Sequence, residues 1–244
     1  MIIFNNVHMR FGDTIVMETF SAEFAEGKVN CILGPSGCGK TTMLNLLCGI
    51  IHEDSGQISK PPRISYVFQE EALVPQKTAR KNLELVLKSV YPDKAELKQV
   101  IDKFLRASGL HNAADLYPHE MSAGMRQRLA LIRAFAYPSD VLLMDEPFKA
   151  LDITLKNMII KSFLELYEED RRTVLFVTHD IDEALLVGDF IYVYSNKPLK
   201  LQQKFTVADA RGDRKLYADS LTKIKNEIYK ETEKWGMSSQ NLDS

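Results

Sequence analysis

The sequence contains no long apolar run and no excess of charge of one sign. No stretch approaches the roughly 18 consecutive apolar residues that a membrane-spanning helix requires. The opening residues MIIFNNVHMRFG lack the charged and apolar regions of a signal peptide. The 31 Lys and Arg residues nearly balance the 33 Asp and Glu residues, for a formal net charge of -2. We therefore expect no membrane-spanning segment, no signal peptide and none of the basic surface that binds nucleic acid.

Cysteine is scarce as well. Cys31, Cys38 and Cys48 are the three present, an odd number that cannot all pair, and their spacing does not match a zinc site. The simplest interpretation is reduced thiols in a cytosolic protein. Cys38 lies in the anion-binding loop described next, so sensitivity to oxidants is the less favoured alternative for this thiol.

The most informative segment of the 244-residue chain is a phosphate-binding loop. Residues 34–41, GPSGCGKT, match the pattern G-x-x-x-x-G-K-[ST]: backbone N–H groups surround a phosphate chain, the lysine reaches the outer phosphates and the threonine hydroxyl contacts magnesium. Residues 29–33 predict a buried strand, and residues 42–48 predict a helix whose N-terminal dipole favours the same anion. The chain is thus predicted to bind a nucleoside triphosphate. The predicted contacts are Gly34, Pro35, Ser36, Gly37, Cys38, Gly39, Lys40, Thr41 and Thr42.

Strand-like and helical segments alternate along the chain, which indicates an α/β fold with a largely parallel sheet. An opening pair of strands is predicted around a turn at Gly12-Asp13, and the C-terminal segment is predicted to be an amphipathic helix with an apolar stripe that packs on the core. That stripe comprises Tyr217, Leu221, Ile224 and Ile228. The predicted strands cover residues 2–7, 14–24, 29–33, 64–68, 141–144, 173–177 and 191–194, and the predicted helices cover 42–48, 82–90, 94–107, 122–137 and 153–169.

The 45% apolar composition suffices for one substantial core. We expect a single domain over residues 1–235: a phosphate-loop core with a mostly parallel sheet, an antiparallel N-terminal β part and a small helical lobe inserted at about residues 77–137. Residues 236–244 are expected to form a frayed tail.

Two adjacent acids follow a predicted buried strand, in the segment LLMDE. The carboxyl ends of the strands are where ligands bind in open α/β sheets, and successive strand residues point in opposite directions. Asp145 is therefore predicted to hold a Mg²⁺ ion together with Thr41, and Glu146 to act as general base toward the attacking water.

Two further polar residues follow predicted strands. His179 comes after the strand at 173–177, where it could donate a hydrogen bond to the γ-phosphate and position the water. Gln69 comes after the strand at 64–68, where its amide could reach magnesium or the water. Strand ends of a parallel sheet converge, so both are predicted catalytic residues, and Gln69 is also a predicted metal ligand.

The order of these motifs resembles the ATP-binding subunit of ABC transporters over about residues 2–230. The discriminating segment is MSAGMRQR at 121–128, which is similar to the family signature LSGGQ or LSGGM and the helix that follows it. The resemblance implies that Phe11 stacks on adenine, and that Ser122 and Gly124 contact the γ-phosphate held by a second subunit. Ser122 at a helix N-cap suits such an anion site. The resemblance therefore implies a homodimer that sandwiches ATP, with Asp152 at the seam, and hydrolysis of ATP to ADP and phosphate.

The chain departs from the family pattern at two positions. Ala123 replaces the first glycine of the signature, which could slow turnover, and Lys149 stands where many relatives carry a small polar residue. Neither change removes a charged catalytic group, so we expect an active ATPase.

Three motifs of the chain are most similar to those of the nitrate, sulfonate and taurine importer group, with its vitamin-precursor relatives. These motifs are GPSGCGKTT, PF-x-ALD and THDIDEALLVGD. This resemblance implies a transmembrane permease subunit, an extracytoplasmic solute-binding protein as indirect partner, and a location at the cytoplasmic face of the membrane. The segment 70–84 would dock on the permease through Ala72, Leu73 and Val74; a solvated connector is the alternative.

Two other functions remain open. A soluble ABC ATPase that acts on ribosomes or DNA would usually carry two ATPase domains, coiled coils or basic patches, and none is visible. A phosphate-loop kinase would not need the signature helix, and Glu146 beside Asp145 favours water as the nucleophile.

Overall fold

The structure, a computed structural model, describes residues 1–149, 151–211 and 214–237. Over these residues the chain forms two compact units, residues 1–64 with those from 172 onward, and residues 65–171. In chain order the elements are β1 (Ile2–Phe11), β2 (Thr14–Phe24), β3 (Val29–Leu33), α1 (Lys40–Cys48), β4 (Ser55–Ser59), β5 (Ile64–Val67), α2 (Ala79–Leu87), α3 (Lys94–Ala107), α4 (Ala123–Ala136), β6 (Val141–Asp145), α5 (Ile153–Glu169), β7 (Thr173–Thr178), α6 (Ile181–Val187), β8 (Phe190–Tyr194), β9 (Leu201–Thr206) and α7 (Asp219–Met237).

Each strand and helix predicted from the sequence is present, most of them within three residues of the expected bounds. The sequence did not predict β4, which contains no buried residue, α6, which spans only seven residues, or β9, in which Phe205 is the single buried side chain. None of these segments carries a usable periodic pattern. No helix in the described part of the chain is long and apolar enough to cross a membrane.

The predicted domain bounds stay a prediction. The second unit is longer than the expected lobe at 77–137 because it also contains β5, β6 and α5. Residues 238–244 of the expected tail lie outside the described residues, while α7 continues through Met237.

The first unit contains both kinds of sheet that the sequence predicts. One is an antiparallel sheet in the order β2-β1-β4, and in the other the neighbouring strands β7, β3 and β8 run parallel, with β9 antiparallel at the edge. The register pairs Leu33 at the end of β3 with Thr178 on one side and Val193 on the other. The α/β fold class with an antiparallel N-terminal part is confirmed.

Aromatic side chains join the two sheets of the first unit. Phe4 of β1 meets the rings of Phe20 and Phe24 edge-on, at centroid distances of 5.4 and 6.4 Å. Phe24 meets Tyr192 at 5.1 Å, and Phe20 meets Tyr194 at 5.9 Å. Such pairs add stabilisation beyond their buried area, so this aromatic layer fixes the hairpin β1–β2 over β8, the neighbour of the strand that leads to the phosphate loop.

The second unit places β5 beside β6 and packs α2, α3, α4 and α5 against one another. Each of these helices begins at a side chain that accepts a backbone N–H from its first turn: Thr78, Asp93, Ser122 and Asp152. Ser, Thr and Asp are favoured at this position because they satisfy an otherwise unpaired donor. The predicted N-cap at Ser122 is confirmed.

The predicted apolar stripe of the C-terminal helix is correct only in part. Leu221 and Ile228 are fully buried and Ile224 is half-buried. Tyr217 is 79% exposed, so its assignment to the core was wrong. It precedes the first residue of α7, Asp219, and the helical spacing therefore does not apply to it.

Asn82 is a fully buried polar residue on α2 that holds the preceding loop. Its side-chain oxygen accepts the N–H of Val74 at 2.8 Å, and its amide nitrogen donates to the carbonyl of Lys77 at 2.9 Å. The same nitrogen lies 3.1 Å from the carbonyl of Thr78 and 3.2 Å from that of Val74. Asn82 thus satisfies the backbone of a turn that has no sheet partner.

We predict that Asn82→Ala destabilises the protein by about 2 kcal/mol, because buried backbone groups lose their partners. Urea denaturation followed by circular dichroism measures this change. Asn226→Ala, at an exposed position of α7, is the control and should alter the free energy of unfolding by only about a few tenths of a kcal/mol. Equal effects of the two substitutions would contradict the role of Asn82.

Candidate functional site

The loop between β3 and α1 has the backbone conformation that its glycines permit. Gly37 and Gly39 have φ angles of 77° and 121°, in the region that side chains rarely adopt. A Cβ atom at Gly39 would lie 2.6 Å from Cγ1 of Val16. The backbone of this loop can therefore approach a phosphate closely, as the sequence predicts.

Lys40 supplies the positive charge of this loop. Its side chain is 5% exposed, and its ammonium group donates to the carbonyls of Gly34 at 2.6 Å and Pro35 at 2.9 Å. An ammonium group has three donors, so it can keep contact with the loop and also bind an anion. Helix α1 has no side-chain N-cap bond and no acidic residue in its first turn, so no carboxylate of that turn offsets the positive end of its dipole.

The parallel sheet brings His179 to the same edge as the phosphate loop. Leu33 and Thr178 are register partners, so the residues that follow them, Gly34 and His179, leave the sheet together. His179 is exposed, and the next residue, Asp180, caps α6 by accepting two backbone N–H groups. The structure thus places the phosphate loop and His179 at one edge of the sheet, while the catalytic role of His179 stays a prediction.

Phe11 lies at the tip of the hairpin β1–β2. It pairs with Thr14 across the turn and is 51% exposed. Val16, farther along β2, is the residue that approaches Gly39. An exposed ring on the hairpin that contacts the phosphate loop suits stacking on a nucleobase, and this role stays a prediction.

In the second unit, β6 ends in the predicted pair of acids. All five residues of β6 are buried, and Asp145 at its end is 5% exposed. The hydroxyl of Tyr66, on the neighbouring strand β5, donates to a carboxylate oxygen of Asp145 at 3.4 Å. The sequence analysis did not identify Tyr66, although this residue lies in the predicted strand that precedes Gln69.

Glu146 has a φ of 45°, which is uncommon for a residue with a side chain. Its side chain is 11% exposed, and one carboxylate oxygen lies 3.3 Å from the ammonium nitrogen of Lys149. Strained backbone of this kind is found often at functional sites. The sequence marked Lys149 as unusual but did not predict this ion pair.

Gln69 is exposed and follows β5 by two residues. Gln127 of α4 is buried and donates a hydrogen bond to the carbonyl of Pro147. This bond ties the turn after Asp145 and Glu146 to the helix that follows the signature.

The signature segment forms the start of α4. The Ser122 hydroxyl oxygen accepts the N–H of Met125 at 3.3 Å, and the hydroxyl hydrogen remains a donor for an anion. Ala123 is exposed, whereas Gly124 is buried and a Cβ atom there would lie 2.4 Å from Leu155 of α5. Gly124 therefore allows α4 to pack closely against α5, and the methyl group of Ala123 faces outward.

Two arginines of α4 hold the segment that follows Gln69. Arg133 donates to the carbonyls of Ala72 at 2.8 Å and Glu71 at 3.1 Å, and Arg126 pairs with the Glu71 carboxylate at 3.2 Å. Partial burial lowers the pKa of Arg133. Ala72 has a φ of 46° and is exposed. No local pattern in the sequence predicts these contacts, since the bonded residues are 55 to 62 positions apart.

Asp152 is the N-cap residue of α5, and its carboxylate accepts the N–H of Leu155 at 3.0 Å. Asp152 is exposed, and its place at a dimer seam stays a prediction. Ala150, part of the KALD motif, lies outside the described residues.

The chain is similar to known proteins in both sequence and structure. The model of the ABC transporter family matches residues 17–149. The nitrate import ATP-binding protein of Synechococcus elongatus is 39% identical over 197 residues, which cover 77% of this chain and 72% of that protein. The sulfate/thiosulfate import ATP-binding protein of Synechocystis sp. is 37% identical over 206 residues, 80% of this chain and 58% of that protein. A dimeric ATP-binding cassette solved in a post-hydrolysis state with ADP and phosphate has a TM-score of 0.74 and 28% identity, and the match covers 86% of this chain and all of that one.

Cys38 is fully buried within the phosphate loop, and burial raises the pKa of its thiol. The thiolate is the reactive species, and a raised pKa lowers the thiolate fraction at neutral and mildly alkaline pH. We predict that iodoacetamide at pH 8 modifies Cys38 about 100-fold more slowly in the folded protein than in urea. Peptide mapping by mass spectrometry measures both rates. Rapid modification of the folded protein would instead support the alternative of an oxidant-sensitive thiol.

Proposed function

The chain belongs to the ABC transporter family as an ATP-binding subunit that hydrolyses ATP, and on this premise we propose that it powers an importer for a small solute. In this proposal two copies form a dimer that holds ATP between them. The observation that carries the nucleotide site is the β3–α1 loop, with left-handed glycines, a buried lysine and an uncapped helix N-terminus. The importer assignment is supported by relatives named for nitrate and for sulfate/thiosulfate import.

The residues of the first unit would bind and orient ATP. Backbone N–H groups of the loop and the Lys40 ammonium would hold the phosphates, and the exposed ring of Phe11 would stack on adenine. His179, at the same edge of the sheet, would donate a hydrogen bond to the γ-phosphate. These contacts position the γ-phosphate for in-line attack by water.

Glu146 would be the general base. Its carboxylate would accept a proton from the attacking water as the oxygen–phosphorus bond forms and the bond to ADP breaks. Gln69, exposed beyond β5, would orient the same water with its amide. Placement of the water against phosphate is the main contribution that the protein can make to this reaction.

Asp145, Thr41 and Gln69 have the oxygen ligands that suit Mg²⁺, which proteins commonly bind through one or two carboxylates and the phosphates of the substrate. The Asp145 carboxylate is 5% exposed at the end of a buried strand and accepts the Tyr66 hydroxyl at 3.4 Å. The ion would neutralise charge that develops on the phosphate oxygens.

Ser122 and Gly124 would serve the partner subunit. Ser122 caps α4, and its hydroxyl hydrogen together with the N-terminus of that helix would bind the γ-phosphate held by the second protomer. Asp152 would lie at the seam. The solved cassette with ADP and phosphate is dimeric, which supports this arrangement.

The segment 70–84 would dock on a transmembrane permease, with the subunit at the cytoplasmic face of the membrane and an extracytoplasmic solute-binding protein as indirect partner. Ala72 is exposed and Leu73 and Val74 are half-buried. Arg133 and Asn82 fix the backbone on either side of Leu73. A segment held in one conformation costs less entropy to dock than a flexible one. In this proposal the transported solute is of the nitrate, sulfonate, taurine or vitamin-precursor type.

We predict that Glu146→Gln keeps ATP binding but lowers turnover by about 10²- to 10⁴-fold, because the general base is lost, and that it traps an ATP-bound dimer. Phosphate release, nucleotide titration and size-exclusion chromatography measure the three properties. Glu165→Gln, an isosteric change at an exposed position of α5, is the control and should behave like the unmodified protein. Lys40→Ala should instead weaken ATP binding. Wild-type turnover by Glu146→Gln would show that Glu146 is not the base.

We predict that Leu73→Glu abolishes recovery of a permease from detergent-solubilised native membranes, because a charge enters the docking surface, while ATP binding is retained. Affinity capture with mass spectrometry identifies the co-purified proteins. Ile50→Glu, a charge at a site 56% exposed in the first unit, is the control and should retain the permease. Recovery of ribosomal or DNA-bound proteins alone would favour the soluble ABC ATPase, and a phosphorylated small product would favour a kinase.

A further inference from the structure

The turn that follows β6 is closed by a hydrogen bond and places the Lys149 ammonium 3.3 Å from a carboxylate oxygen of Glu146. The N–H of Lys149 donates to the carbonyl of Glu146 at 3.1 Å, which closes the turn. Between them, Phe148 is 1% exposed and the carbonyl of Pro147 accepts the buried amide of Gln127. Because the turn is anchored at both central residues, the Lys149 side chain starts from a fixed position.

The Glu146 carboxylate has limited access to water. Its side chain is 11% exposed, and the oxygen 3.3 Å from the Lys149 ammonium is out of contact with solvent. A carboxylate in such surroundings requires compensation by positive charge or hydrogen bonds. Lys149 is 48% exposed, so it can reach the buried oxygen while part of its own charge remains hydrated.

We propose that Lys149 is a positioning residue that orients the carboxylate of Glu146 for catalysis. The inference rests on the proposed function, in which Glu146 is the general base. One carboxylate oxygen is held by the ammonium, so the other is presented in a defined direction to accept the proton from water. Lys149 is expected to act through Glu146 and to make no contact with ATP.

The first test compares Lys149→Met, which keeps the length of the side chain without its charge, with Lys149→Arg, which keeps the charge. Lys149→Met should lower kcat about tenfold, a fraction of the 10²–10⁴-fold that a general base contributes, with KM and the Kd for ATP unchanged. Lys149→Arg should retain a rate near that of the unmodified protein. Lys161→Met, which removes a lysine paired with Glu165 on the exposed side of α5, is the matched control and should change nothing.

The second test is a double-mutant cycle between Lys149→Met and Glu146→Gln. If Lys149 acts through Glu146, its loss should not lower the residual rate of Glu146→Gln any further. The free energies of unfolding of the same four proteins form a second cycle. This cycle measures the coupling of the ion pair independently of catalysis and shows whether each variant folds.

Several results would overturn the inference. An unchanged or increased kcat in Lys149→Met would mean that the lysine does not orient the base. A rise in KM would mean that it binds nucleotide, and an equal loss in Lys149→Arg would mean that its charge is not what matters. Failure of the proposed function gives a different pattern, since Glu146→Gln alone would then hydrolyse ATP at the unmodified rate.

Discussion

The candidate nucleotide site depends on the parallel pairing of β3 with β7 and β8. All five residues of β3 are buried, and the strand pairs with β7 along its whole length and with β8 from Asn30 to Leu33, so the end of this strand is fixed. Asn30 is the polar exception within it: its fully buried amide bonds the backbone of Ala25 and the carbonyl of Val174. A loop that follows such a strand inherits its position, which is what phosphate binding by backbone N–H groups requires.

Left-handed backbone occurs on glycines and on residues with side chains, among them Asn6 and Thr19 of the N-terminal strands as well as two residues of the candidate site. In the phosphate loop the left-handed conformations fall on Gly37 and Gly39, where they cost little. At Glu146 and Ala72 they fall on residues with side chains, which costs free energy that the surrounding structure must offset. Buried Phe148 anchors the first of these turns and Arg133 anchors the second. Both strained turns lie where the proposed function places catalysis and docking. The anchoring contacts keep each turn in its strained conformation.

Local signals in the sequence predicted the elements well because they act over a few residues. Ser122 was recognised as an N-cap, and it accepts an N–H of the first turn of α4. The strand at β6 was visible from its apolar run, and its buried end presents Asp145. By contrast, Tyr217 was assigned to the core from helical spacing that extends beyond the start of α7, and β4, α6 and β9 carry too little apolar pattern to be predicted.

The family, the phosphate loop and the identity of the charged groups follow from the amino-acid sequence alone, because a motif, a cap or a buried strand is encoded in adjacent residues. Only the tertiary structure decided which strands are neighbours, since β3 pairs with β7 across about 145 positions in the chain and long-range pairing follows from burial and loop closure rather than from local pattern. That pairing brings His179 to the edge of the phosphate loop. The contacts of Lys149 with Glu146 and of Arg133 with Ala72 likewise depend on how turns and helices pack, which no spacing in the sequence expresses.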